Sequence, residues 1–228
     1  MIKNLNVSNF KLVYNLKRRI VNMDWKLKGI KKETDHKFLN FYTVTYTITK
    51  DNKEHEYPYF MASRKDTDKL LCKTKDYSRA DGVLIPCYYI DPTTKEVSLL
   101  ITKQFRPPMG RYVNSFPAGL MDPSDKDEFE TARREAKEEA GVIIDDLELL
   151  APASPTSSGL SDEINAVVLG RIEKFETTSL EEYEDIQTKL IPILEVEKLL
   201  NDPSYFFPLQ IRMVIKYLLE RYKRGNLK

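Results

Sequence analysis

Cysteine and histidine are scarce in this chain, with two of each among 228 residues. Cys72 and Cys87 are too few for a disulfide scaffold or a thiolate zinc site, and His36 and His55 alone do not make an imidazole metal centre. Any metal chemistry therefore falls to oxygen ligands. Net charge is nearly absent too: 36 Lys and Arg stand against 35 Asp and Glu, a formal balance of +1. No long-range pull on nucleic acid is expected from that balance. Long apolar runs are also missing, so no segment reads as a membrane span, and the N-terminus lacks an uninterrupted hydrophobic stretch. A cytosolic (cytoplasmic) protein is the expectation. There is no internal repeat or low-complexity segment, and the length suits one large domain or a main domain with a small appendage.

What is present is concentrated between Ser115 and Val142. From Asp127 to Ala140 there is no Gly or Pro, and Phe129, Ala132, Ala136 and Ala140 recur at three- and four-residue steps, which predicts one amphipathic helix. Gly141 supplies its stop, and Pro123, Ser124 and Asp125 supply turn and capping chemistry before its start. On a helical period Glu135, Glu138 and Glu139 share a face. Arg134 lies four residues from both Glu130 and Glu138, where an ion pair would hold a carboxylate in place. Like charges so arranged repel unless a cation sits among them. Hard divalent ions with oxygen ligands, Mg²⁺ above all, suit such a face and are commonly shared with substrate phosphates. A merely solvated acidic face is the plainer alternative.

The rest of the chain frames this segment. Residues 1 to about 35 mix Lys and Arg with apolar residues and fit a short amphipathic helix or an irregular arm; the Lys17-Arg18-Arg19 cluster is too short, in a neutral chain, to argue a nucleic-acid contact. Phe38 to Thr49 and Glu54 to Ser63 read as a β-hairpin, which needs cover from the main domain or a second subunit. Residues 1–64 form the arm and hairpin in this division, and 65–228 the main domain, opening with a charged loop over 65–79. Strands are expected at 82–90, 97–104, 112–116, 146–151, 164–173 and 185–191, with a loop at 153–163 and a charged excursion at 175–184. Helices follow at 194–200 and 209–222, the last with Met213, Val214, Tyr217 and Leu218 as its apolar face. Arg106 sits at a strand end before Pro107 and Pro108, either a surface charge or a planar grip for a diphosphate. The pattern predicts a mixed α/β sandwich with a mixed sheet.

Gly119, Arg134-Glu135-Ala136, Glu138-Glu139 and Gly141-Val142 together resemble the signature of the Nudix hydrolases. The second half matches position by position. The first half departs, because the family's first Glu falls on Lys126 and the segment from Gly119 carries one extra residue, so that Asp125 or Asp127 would stand in. Arg79-Ala80-Asp81-Gly82-Val83, the stretch from Lys103 to Gly110, Phe116-Pro117-Ala118-Gly119-Leu120 and the Ser157-to-Glu163 loop narrow the resemblance to the ADP-ribose and ADP-sugar pyrophosphatases, over about residues 38 to 205.

That resemblance implies an α/β/α sandwich and Mg²⁺, with Mn²⁺ as the alternative. It implies Glu135 and Glu139 as chief metal ligands, Glu138 ligating or bridging, the Ala118 carbonyl completing the sphere, Glu138 and Arg134 as catalytic residues and Gly119 as a substrate-binding one. Glu163 would be the general base or a further metal ligand, with Asp162 as alternate, and Arg106 would hold the diphosphate. Tyr59 would stack on adenine and Arg64 bind substrate, supplied by the partner in a swapped homodimer. The implied reaction is hydrolysis of ADP-ribose or an ADP-sugar to AMP and a sugar phosphate. Hydrolysis of other nucleotide sugars or damaged nucleotides, and a catalytically weakened ligand-binding module, are the alternatives.

Overall fold

Alternation of aromatic and β-branched residues with polar ones organises the first part of the chain. It builds β1 (Asp24–Lys32), β2 (Asn40–Lys50) and β3 (Lys53–Ser63), paired antiparallel in the order β1-β2-β3. The computed structural model describes residues 23–50, 53–180 and 185–227, which fall into two units dividing after Lys73. The Lys17-Arg18-Arg19 cluster and the end of the charged excursion lie outside them. β1 corrects the expectation of a helix or irregular arm. Trp25 and Leu27 alternate with Lys26 and Lys28, and a register shift follows between Leu27 and Gly29. Lysines on an edge strand deter pairing with another sheet, and they also hide the apolar alternation in a helix-neutral composition. Across β1 to β3, Trp25 packs edge-on against Tyr46 and Tyr57. Tyr42, Val44 and Met61 form a small core with Leu70, just before a short helix α1 (Leu71–Thr74) where a loop was expected.

The second unit is built on an eight-stranded mixed sheet. Its strands are β4 (Gly82–Leu84), β5 (Cys87–Ile90), β6 (Val97–Arg106), β7 (Arg111–Ser115), β8 (Ala118–Leu120), β9 (Val142–Pro155), β10 (Ile164–Phe175) and β11 (Ile186–Pro192). The order is β11-β6-β5-β10-β4-β8, with β7 on β6 and β9 on β10. β10 runs parallel to β4 and β5, and the other pairs are antiparallel. The expected strand over 82–90 is broken in two at Pro86, which has no N–H to give a ladder. β9 runs longer than expected because it bends through register shifts around Asp146 (φ 49°), in an acid-rich stretch that masks its alternation.

Helices cover both faces. α2 (Glu128–Ala140) buries Ala132, Ala136 and Ala140 against Val83, Ile85, Leu100 and Val168. On the other face α3 (Ile193–Leu199) and α4 (Leu209–Lys223) close over Leu99, Ile101, Leu169 and Ile191. Leu100 thus points one way and its neighbours the other, as the pleat requires. In α4 the buried stripe is Ile211, Ile215, Leu218 and Leu219, while Met213 and Tyr217 are 60% and 50% exposed. The sequence holds two apolar stripes at helical spacing, and packing chose the one without a phenol. Among the described residues no helix is long and apolar enough to cross a membrane.

Gly141 ends α2 with φ +61°, its N–H donating to Lys137 O, and a Cβ there would lie 2.5 Å from Glu176 O. Gly141→Ala combines left-handed strain with that clash, and is expected to lower stability by roughly 2 kcal/mol or more. Urea denaturation followed by far-UV circular dichroism measures it; an unchanged midpoint would contradict the packing at this helix end.

Candidate active site

The site grows from the turn that starts α2. Asp127 is its N-cap, with Oδ1 accepting the Glu130 N–H at 2.8 Å, and Glu130 Oε2 accepts the Lys126 N–H at 2.7 Å. Both acids serve the helix end, and Lys126 contributes only backbone there. Asp125 is different. Its side chain is 6% exposed, and Oδ2 accepts from the Asp122 N–H at 2.9 Å, the Thr131 hydroxyl at 2.9 Å and Arg134 Nη2 at 2.8 Å. Of the two stand-ins left open by the sequence, Asp125 is the one that meets Arg134. Arg79 fastens the same turn, its Nη2 donating to the carbonyls of Asp122 and Asp125 at 2.9 Å each.

Arg134 then reaches the other acids. Nη2 also donates to Leu120 O at 3.0 Å, while Nη1 donates to Glu135 Oε1 at 2.7 Å and Glu138 Oε2 at 3.1 Å. One planar fork thereby ties the loop, the end of β8 and two glutamates. The guanidinium beside Asp125 holds that carboxyl down to about 2, and the same contact raises the Arg134 pKa.

β8 supplies the floor. It pairs with β4 through Leu84 to Ala118, Val83 to Gly119 and Gly82 to Leu120. Glu139, 9% exposed, accepts the Ala118 N–H at Oε2 at 2.9 Å. The Glu135 carboxylate lies directly over Gly119, where a Cβ would come within 1.9 Å of its Cδ. Gly119 is glycine because the acid occupies the space of a side chain. Arg134, Glu135, Glu138, Glu139, Ala118 and Gly119 are therefore brought together.

The remaining expected site residues are placed as follows. Glu163 begins β10's approach, half-buried, with Thr156 Oγ1 donating to its Oε2 at 2.9 Å, and Asp162 beside it is also half-buried. The next residue, Ile164, exchanges hydrogen bonds with Asp81, and the Met121 N–H donates to Asp81 O, so Glu163 stands at the sheet end where β8 runs out. Arg106 is exposed at the end of β6, before a 3₁₀ turn over Pro107–Met109. Tyr59 and Arg64 belong to the first unit, Tyr59 beside Tyr57 on β3 and Arg64 exposed just past that strand. Arg79 and Thr131 are contributors that sequence reasoning did not assign. Arg79 had a signal in the motif before β4, and Thr131 had only its place on the inner face of α2.

The donor set suits a hard cation. Three carboxylates, Asp125, Glu135 and Glu138, meet one guanidinium, Glu139 joins them at the Ala118 N–H, and every side-chain ligand on offer is oxygen. Among the described residues no three acids close around one point as metal ligands do. Instead Arg134 Nη1 sits between Glu135 and Glu138, and a bound ion has to compete with it for them.

Asp125 has a depressed folded-state pKa, so its stabilisation is complete above the unfolded value of 3.8 and is lost as pH falls through about 2. Asp125→Asn is expected to cost about 2 kcal/mol near neutral pH and to flatten the loss of stability across that acid window. Chemical denaturation at stepped pH values tests this, and parallel profiles for both proteins would exclude the pairing.

Residues 81–211 match the NUDIX domain family. The chain is 34% identical over 104 residues to the ADP-ribose pyrophosphatase of Bacillus subtilis (strain 168), a match covering 45% of this chain and 53% of that protein. It thus spans about half the length of that curated relative. Among solved structures it is similar to an ADP compounds hydrolase, with a TM-score of 0.64 and 17% identity over 90% of this chain and 97% of that one, a likeness of fold. With the family pattern running from β4 into α4 and the acids of α2 gathered over β8, the chain belongs to the NUDIX domain family.

Proposed function

We propose that the chain hydrolyses the diphosphate of an ADP-linked compound, ADP-ribose or an ADP-sugar, to AMP and a sugar phosphate in the presence of Mg²⁺. The observation that carries this reading is the gathering of Glu135, Glu138 and Glu139 around Arg134 and the Ala118-Gly119 backbone. The pyrophosphatase relative supports the substrate class.

A diphosphate resists attack because its oxygens are anionic. Glu135 and Glu139, with Glu138 and the Ala118 carbonyl, would hold the metal, which supplies charge neutralisation and a more acidic bound water. The chain's own residues do the rest. Arg134 and Asp125 keep the carboxylates aimed, since the helix face would otherwise relax by repulsion. Glu163, with Asp162 as alternate, takes the proton from the attacking water at a carboxylate oxygen. Arg106 binds the diphosphate, and Tyr59 and Arg64 recognise the nucleoside.

In this reading a second copy of the chain supplies Tyr59 and Arg64. The exposed aromatics of the first unit support a homodimer: Phe41 and Phe60, stacked on each other, are 42% and 58% exposed, and Phe38 is 70% exposed, apolar surface that favours burial.

Purified protein with Mg²⁺ should release AMP from ADP-ribose, and Glu139→Gln should slow release by about 10²-fold or more. A panel of ADP-, GDP- and UDP-linked sugars with Mg²⁺ and Mn²⁺ ranks the substrates. Tight ADP-ribose binding without turnover in either metal would instead identify a ligand-binding module. Sedimentation velocity tests the dimer, and a monomer at micromolar concentration would remove it.

A further inference from the structure

On the α4 side of the sheet lies a cavity of about 440 Å³, bounded by β6, β7, β11 and the turn before Phe207. Strand register explains its lining. Gln187, Lys103 and Asn114 stand side by side across β11, β6 and β7, with Lys189 and Ile101 in the adjacent row. Residues two apart share a face, and Ile101 and Ile191 belong to the core under α4, whereas Leu100 points into the core under α2. The cavity therefore opens on the opposite side of the sheet from α2 and its carboxylates.

Its chemistry is one-sided. Lys103 and Lys189 bring two ammonium groups, and no acid is among the described residues that line it. Nearby carboxylates are engaged elsewhere: Asp202 accepts the Ser204 N–H and hydroxyl at 2.8 and 2.7 Å, and Asp185 accepts the Tyr112 hydroxyl at 2.6 Å. Lys103 Nζ rests 5.0 Å from the centre of the Tyr112 ring, which steadies its head group.

Asn114 is the built element. It is 5% exposed, and its Oδ1 accepts the Phe206 N–H at 3.2 Å while its own N–H donates to Phe206 O at 2.9 Å. That fixes which end of the amide faces away from Phe206. No described residue accepts the Nδ2 hydrogens, so they remain for whatever fills the cavity. Water can meet them, and an anionic oxygen meets them better. Beside them in the lining are Ile101, Ile191 and Tyr205, the last stacked on Phe207 at 5.9 Å. Cationic and amide donors beside a stacked ring suit a phosphate monoester attached to a planar base, and the volume falls within the roughly 300–1,000 Å³ of small-molecule sites.

We propose that this cavity is a second ligand site, which takes a nucleoside monophosphate with its phosphate on Lys103, Lys189 and Asn114 and its base against Tyr205. The site is independent of the hydrolysis proposed above and needs no metal.

Isothermal titration of the full chain in EDTA, with AMP, adenosine and inorganic phosphate as separate probes, tests it. AMP should bind saturably, and Lys103→Ala/Lys189→Ala should weaken it by about tenfold or more. Both lysines are exposed, so the pair of substitutions leaves folding intact. Glu139→Gln should leave the AMP affinity unchanged. No AMP binding at millimolar concentration overturns the proposal, as does binding that survives the lysine variant and disappears in Glu139→Gln. Adenosine as tight as AMP overturns the phosphate role, and phosphate as tight as AMP overturns the base role.

Discussion

One guanidinium carries the arrangement. Arg134 donates to Asp125, to the carbonyl closing β8, and to two glutamates of its own helix. Carboxylates spaced along one helix face repel each other, so a face of this kind does not hold its shape by itself. A planar fork with five donors solves that problem geometrically, because each partner is met along a fixed direction. Asp125 is what fixes the fork in turn. It is buried, and it is held by Thr131 and by the N–H of Asp122 in a turn that Arg79 fastens from outside.

The same constraint explains how closely the backbone approaches the helix. Glu135 rests on Gly119, and a Cβ on Gly82 in the next strand would lie 2.8 Å from Gly119 O. Two strands and a helix crowd together at one spot where side chains are absent. Glu139 adds a hydrogen bond to the Ala118 N–H, so the acid face reaches both backbone and solvent from a buried root. β8 is only three residues long, and its place depends on pairing with β4 and on the carbonyl of Leu120 taking Arg134.

Charge is distributed unevenly over a chain whose total is nearly zero. Acids gather on the α2 side of the sheet, while Lys103 and Lys189 border the cavity on the α4 side. A near-neutral total therefore conceals two local environments of opposite sign, separated by one layer of strands. Alternation along β6 and β11 puts Lys103 and Lys189 on the α4 side, since successive residues are sent to opposite faces.

Local periodicity was enough for α2, its Gly141 stop, the shared face of Glu135, Glu138 and Glu139, and the mixed sandwich, because 3.6- and 2-residue periods are written directly in the order of residues. The extra residue before α2 left Asp125 and Asp127 indistinguishable, and only folding separated them: Asp127 was taken by the helix end, and Asp125 was buried against Arg134 and Thr131. β1 is masked in the sequence because its lysines dilute the apolar alternation, and α4 carries two apolar stripes from which packing selects one. The sequence by itself determined which residues share a face. Which of those faces meet, where Gly119 lies under Glu135 and the Asn114 amide oxygen takes the Phe206 N–H, was decided by strand order and register, which join residues far apart in the chain.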